Sequence, residues 1–180
     1  MKKSINLFVV LCLVTLIIGG CSKTEEKSVQ KIAEDFVTEL YTVDSKEIEN
    51  YNNLLALKTN DVQVLTEAME SNDKEIKSLM TEKAYKIFTQ NRKNLMFTTY
   101  CVKGNCTMQV IDISLSERTS NTDEDSAGYN FEAKIKFISI NDKTELIDIG
   151  KGIIELSKEN KQWKVSGYKE IEVPKTIINK

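Results

Sequence analysis

Asn130-Phe131-Glu132-Ala133-Lys134-Ile135-Lys136-Phe137 alternates polar and apolar residues without a break. Successive side chains of an extended chain point to opposite faces. Phe131, Ala133, Ile135 and Phe137 therefore share one face, and Asn130, Glu132, Lys134 and Lys136 the other. One dry face and one wet face is the pattern of an antiparallel sheet covered on one side. The cover lies upstream. Val29, Ile32, Ala33, Phe36, Val37, Leu40 and Tyr41 recur at helical spacing, with Gln30, Lys31, Glu34, Asp35 and Glu39 on the other face and Ser28 as N-cap. An amphipathic helix facing a half-buried sheet sets the fold class as α+β: N-terminal helices packed against a bent, cone-like antiparallel meander.

The stretches between fit that frame. Asp44-Ser45-Lys46-Glu47 is a capping-box variant opening a second helix, with Ile48, Tyr51, Leu54 and Leu55 apolar. Asn60-Asp61 opens a segment with Val62, Val64, Leu65, Ala68 and Met69. Asn72-Asp73 precedes Ile76, Leu79 and Met80, and Thr81 precedes Ala84, Tyr85, Ile87 and Phe88. After Asn91 the period changes to 2. Ile111, Ile113 and Leu115 share one face of a strand, and Trp163 and Val165 mark the last one. Ile147 and Ile149 have one parity and Ile154 and Leu156 the other, which predicts a β-bulge at Gly150-Lys151-Gly152. Turns are expected at Lys103-Gly104, Asn141-Asp142-Lys143-Thr144 and Lys158-Glu159-Asn160-Lys161. Arg118 to Gly128 forms a longer loop.

This order resembles the nuclear transport factor two family, also called the cystatin-like fold. The resembling stretches are Ser28–Tyr41, Leu79–Asn91 and Gln162-Trp163-Lys164-Val165-Ser166-Gly167-Tyr168. The resemblance implies a long, bent sheet wrapped around the first helix. It also implies a concave face that often forms a pocket for an apolar ligand or a substrate, and domains of this fold occur in conjugation machineries. The sequence departs from the pattern at Val62–Asn72, which reads as helical where the family places a small hairpin.

The N-terminal segment reads as an address. Lys2 and Lys3 precede an apolar run from Ile5 to Ile18, short of the roughly 20 residues a membrane-spanning helix needs. Ile18-Gly19-Gly20-Cys21 resembles the bacterial lipobox. That resemblance implies cleavage between Gly20 and Cys21 and a diacylglyceryl thioether on Cys21, which would hold the mature chain at the membrane. The expected organisation is a lipoprotein signal over 1–20, a lipidated tether over 21–27, a single α+β domain over 28–173 and a C-terminal tail over 174–180. The expected location is the outer face of the cytoplasmic membrane, and the Lys, Asn and Ile bias is that of a low-GC, Gram-positive-like host.

Composition narrows the chemistry. Removing 1–20 takes Lys2 and Lys3 and no acid, leaving 23 basic against 27 acidic residues, a net charge of −4. A mildly acidic surface argues against nucleic acid as a partner. There is no histidine, which removes the commonest general base and the usual zinc ligand. No catalytic residue, metal site or cofactor is expected. Asp123-Glu124-Asp125 lacks the spacing of a calcium loop, and the strand carboxylates Asp112, Glu132, Asp148 and Glu155 are expected to face solvent for the most part.

Two residue sets remain as candidates. If Lys103-Gly104 is a two-residue hairpin turn, Cys101 and Cys106 stand opposite each other in the geometry a disulfide tolerates. Two thiols filling space, or a redox pair of unusual C-x4-C spacing, are the alternatives. Tyr51, Tyr85, Tyr100 and Trp163 are candidates to line a pocket on the concave face, and plain core is the competing reading. The sequence thus points to a non-catalytic binding or scaffold domain at the cell envelope, acting through a protein or envelope partner. A ligand-binding or enzymatic cone, or an accessory subunit of a conjugation or secretion apparatus, are the other readings.

Overall fold

The computed structural model describes residues 21–57, 67, 69, 73–118 and 124–178, with backbone alone for 21–27 and 178. The expected signal segment with Gly20, the segment Val62–Asn72 apart from 67 and 69, and Asp123 lie outside the described residues. The elements are α1 (Cys21–Leu40), α2 (Ser45–Ala56), α3 (Lys74–Leu79), α4 (Glu82–Gln90), α5 (Lys93–Gly104), β1 (Cys106–Glu117), β2 (Ser126–Ser139), β3 (Glu145–Glu159), β4 (Gln162–Glu172) and α6 (Lys175–Ile178). The strands form one antiparallel sheet in the order β1-β2-β3-β4, with helices before it, so the chain is α+β.

The stretch that decides the fold lies in β2, where Phe131, Ala133, Ile135 and Phe137 are buried. Their cover is α1, which buries Val29, Ala33, Phe36, Val37 and Leu40 and hands on to buried Tyr41. Removing a side chain of this size from water is worth about 1.5–3 kcal/mol, which fixes α1 on the inner face of the sheet. The Phe36 ring meets Tyr168 edge-on at 5.4 Å, and the Tyr41 ring lies 6.2 Å from Phe131. The helix begins at Cys21, so Ser28 is inside it and is not its N-cap.

Two local expectations change. First, β3 does not switch faces. Gly150, Gly152, Ile154 and Leu156 point inward in unbroken alternation, while Ile147 and Ile149 stay on the outer face, opposite Lys136 and Lys134. A register slip does fall at Lys151/Gly152, where a bulge is expected, but its extra residue is Ile171 of β4; a second slip adds Ser166 of β4, and Ile111 is the extra residue of β1. Ile111 is accordingly exposed, while Ile113 and Leu115 pair with the inward Ala133 and Phe131. The glycines of β3 serve clearance. A Cβ on Gly152 would stand 2.5 Å from the Phe131 ring and 2.6 Å from the Lys169 carbonyl oxygen, and one on Gly150 would stand 2.9 Å from the Tyr41 hydroxyl.

Second, Lys93–Gly104 is helical, so the hairpin turn expected at Lys103-Gly104 does not exist. The residues Phe97, Thr98, Thr99, Tyr100 and Val102 favour strands intrinsically, yet Phe97, Thr98, Tyr100 and Cys101 are buried on one helical face. Packing decides here. The helix ends at Asn105, which takes a left-handed conformation (φ 51°) and donates its N–H to the Cys101 and Val102 carbonyls. The other turns fall where expected. Asp142 accepts from the Thr144 N–H and hydroxyl, and Asn160-Lys161, both with positive φ, join β3 to β4.

The outer face of the sheet is a lattice of charge. Asp112 pairs with Lys134, Glu132 with Lys151 and Glu155 with Arg118, at 3.3, 3.0 and 3.8 Å. Asp148 instead takes the inner face near the C terminus and accepts from the Thr176 N–H and hydroxyl. Burial pushes its carboxyl up, and the bonds from Thr176 and Ile149 outweigh that and hold it below its usual range. Pro174 is fully buried and Ile177 packs on the core, so residues 174–177 fold back onto the domain.

Candidate functional site

Two spaces of similar size flank the aromatic interior. The first, about 370 Å³, is walled by the end of α1, the start of α2, α3 and α5. The second, about 360 Å³, lies between α4 and β4, with Met80, Ala84 and Phe88 on one side and Ser166 to Glu170 on the other. Phe88 and Lys93 belong to both walls.

The first space holds the ionisable groups. Asp44 caps α2 by accepting the Glu47 N–H at 2.8 Å. In a full capping box the Glu47 side chain would turn back to the cap. It reaches across to α5 instead, where the Thr98 hydroxyl donates to Oε1 at 2.9 Å. Burial raises the Glu47 carboxyl to about 7. The Thr98 bond opposes the rise, and the charges of Asp44, Glu39 and Asp73 add to it. Asp73 is buried at the start of α3 and makes no cap bond there. Its Oδ2 accepts from the Tyr85 hydroxyl at 3.0 Å and from the Asn94 amide at 2.7 Å. Glu39 is raised by burial, then by the charge of Glu75 and a hydrogen bond with it. A carboxyl that titrates near neutrality can give or take a proton at working pH.

A second polar group sits deeper. Lys93 is paired with Glu170, and the hydroxyls of Tyr41 and Tyr168 are buried beside that carboxylate. Burial raises both tyrosines, and the Glu170 charge adds to it. The two hydroxyls and Glu170 Oε1 are buried without hydrogen-bond partners, while the Lys93, Tyr168 and Glu170 residues also line the second space. This group braces the interior behind the wall of that space.

The four aromatic candidates are not brought together. Tyr51 accepts from the Thr99 hydroxyl at 3.0 Å and borders a void of about 20 Å³. Tyr85 holds Asp73 under a lysine, with Lys77 5.2 Å from its ring. Tyr100 donates to the Thr176 carbonyl at 2.5 Å and packs on Phe137. Trp163 is half-buried under Lys158, 5.0 Å away. The concave face itself is filled by Phe36, Tyr41, Phe97, Phe131 and Tyr168.

Cys101 and Cys106 are brought together, by a helix cap rather than a hairpin. They stand as thiols in hydrogen-bond contact and are not joined in this structure. That contact and then burial raise the Cys101 thiol. The Cys21 side chain lies outside what is described, although its backbone begins α1. Among the described residues no helix is long and apolar enough to cross a membrane, and no group of acids and cysteines is arranged to hold a metal ion.

Sequence reading missed Glu47, Asp73, Asn94 and Thr98 as a group. Glu47 and Asp73 had local roles as capping residues that accounted for them. No spacing along the chain announces that four helices converge on one space.

No protein-family model and no curated protein matches the chain. Among solved structures it is similar to an IcmL-like type IV secretion system protein from Legionella pneumophila, at 12% identity and a TM-score of 0.53, over 83% of this chain and 91% of that one. A periplasmic fragment of TraM aligns at 6% identity and a TM-score of 0.47, over 82% and 98% of the two chains. The first likeness is one of fold.

Proposed function

We propose that the chain is an exported, lipid-anchored, non-catalytic binding domain that serves as an accessory subunit of an envelope-spanning secretion or conjugation apparatus. What carries the reading is the fold shared with the IcmL-like type IV secretion system protein, an argument by fold analogy. It is joined in this chain to the lipobox-like Ile18-Gly19-Gly20-Cys21. The filled interior supports the non-catalytic part, since the face where this fold would take a substrate is occupied by the chain's own rings. The domain would sit at the outer face of the cytoplasmic membrane, tethered by a diacylglyceryl group on Cys21, and would work through protein contacts.

Deletion of the gene should lower DNA transfer or protein secretion by its host at least tenfold, with rescue by the wild-type chain. Unchanged transfer and secretion would refute the apparatus reading. Cys21→Ala should end incorporation of labelled fatty acid. Continued labelling would refute the anchor.

One observation favours a second reading, a small-ligand-binding domain or enzyme. It is the helix-walled space of about 370 Å³ with Glu47 raised to about 7. A thermal-shift screen on the purified chain tests it. A hit that survives Glu47→Gln lies elsewhere, and a hit that disappears places the ligand in that space.

A further inference from the structure

We propose that Cys101 and Cys106 form a disulfide-forming pair that closes at the thiol poise of an oxidising compartment and pins the end of α5 to the start of β1. The reading of this chain as exported gives the pair its setting, but the chemistry is a property of the two residues. The placement follows from the helix cap. Asn105 in the left-handed region turns the chain back, and its N–H reaches the Cys101 carbonyl. In such a cap the residue after the left-handed one folds onto the residue whose carbonyl is capped, and that contact is normally hydrophobic. Here both positions are cysteine.

Three observations agree with it. The two side chains are within hydrogen-bond reach of each other. Both side chains are buried, Cys101 completely and Cys106 at 6% exposure, so the pair sits in a fixed environment. The Cys106 sulfur turns back toward the helix end, 3.4 Å from where a Cβ on Gly104 would stand. Two cysteines held in contact by a rigid cap need only a small displacement to bond. A pair with α-carbons far apart would need backbone rearrangement.

The step needs an oxidant, here a small-molecule or protein disulfide. The Cys106 thiolate, the more exposed, attacks one sulfur of that disulfide and expels the first thiolate, leaving a mixed disulfide. The Cys101 thiolate attacks the Cys106 sulfur and expels the second. Two thiol protons and two electrons pass to the two departing thiolates. Tyr100 lies against Gly104 and is tied by its hydroxyl to Thr176 of α6. Exchange in the folded chain is therefore slow, and closure belongs to folding or to a transient lifting of α6.

Trypsin gives a direct test, because Lys93, Lys103 and Arg118 place the two cysteines on separate peptides, 94–103 and 104–118. The full-length chain is unfolded, refolded in glutathione buffers from reducing to oxidising, quenched with alkylating reagent and digested. The expected result is a linked pair of these peptides at the oxidising end that separates on reduction. Two singly alkylated peptides at every poise would overturn the proposal. Cys106→Ala must abolish the linked pair and leave the 94–103 peptide alkylated or carrying glutathione, and this reads out even if that variant does not fold. The same digest on protein from intact cells, beside its accessibility to external protease, tests export separately. A linked pair in buffer with a protected, reduced chain in cells refutes export and leaves the pair's chemistry supported.

Discussion

The interior between α1 and the sheet and the space between α1, α2, α3 and α5 are built from one chain by opposite rules. The interior is packed with rings, Phe36, Tyr41, Phe97, Phe131 and Tyr168, and β3 gives up two side chains, at Gly150 and Gly152, to admit them. The space among the helices is open and lined by carboxylates, amides and hydroxyls that bond each other across elements. Rings in contact are worth most where water is excluded, whereas a buried carboxyl is stable only while it stays protonated or well bonded. Stability is therefore concentrated on the sheet side, and sensitivity to conditions on the helical side.

That contrast breaks most severely if Phe36→Ala is tolerated. Its ring is fully buried against Tyr168 and Phe88, so the substitution should cost about 3–5 kcal/mol in urea unfolding. A cost below about 1 kcal/mol would mean that the interior is loosely packed. Gly152→Ala comes next. One clash is with a flexible ring, but the other, 2.6 Å, is with the backbone oxygen of Lys169, so the strand pair must shift. The expected loss is about 1–3 kcal/mol, with a weakened β3–β4 pairing visible by hydrogen exchange at Lys169.

The helical side responds to pH. Glu47 holds its proton more tightly folded, near 7, than unfolded, near 4.5, so the unfolded chain releases that proton first. Its contribution is complete below about 4.5 and is lost as pH rises through about 7, a fall on the order of 2 kcal/mol after allowance for partial exposure. Glu39 acts in the same direction. Glu47→Gln keeps a partner for Thr98, removes most of this slope and raises stability at about pH 8 by on the order of 1–2 kcal/mol. Urea midpoints across pH check it, and an unchanged slope would show that Glu47 is not the group that titrates. Smallest of all is Asp112→Asn on the outer face. Both partners of that ion pair are half-exposed, so the change should stay within about 0.5 kcal/mol.

The same division governs what could be read from the chain. Phe131, Ala133, Ile135 and Phe137, and the stripe from Val29 to Tyr41, are legible because one partner, the opposite layer, accounts for each pattern. β3 misleads because Ile147 and Ile149 look like core. They lie on the outer face opposite Lys136 and Lys134, and Ile147 is left exposed there. The α5 segment misleads because strand-favouring residues are held in a helix by burial at Phe97, Thr98, Tyr100 and Cys101. The carboxylate group was illegible for a different reason. Glu47 and Asp73 fit local capping patterns in the sequence that neither side chain fulfils, and their long-range partners, Thr98, Tyr85 and Asn94, lie on helices whose approach no local pattern encodes.

The slips at Ile111, Ser166 and Ile171 acquire a meaning when many copies of the chain are considered at once. A sheet with two open margins invites neighbours to add strands, and crowding makes that polymerisation more frequent. Each margin here is interrupted. β1 carries the extra Ile111 and is bridged by Val43 at Met108, and β4 carries two extra residues and is bridged by Met80 at Val165. A growing fibril needs a long straight run of evenly spaced donors and acceptors, and each margin is left with shorter ones. Molecules packed side by side can thus remain separate, each available to a different neighbour.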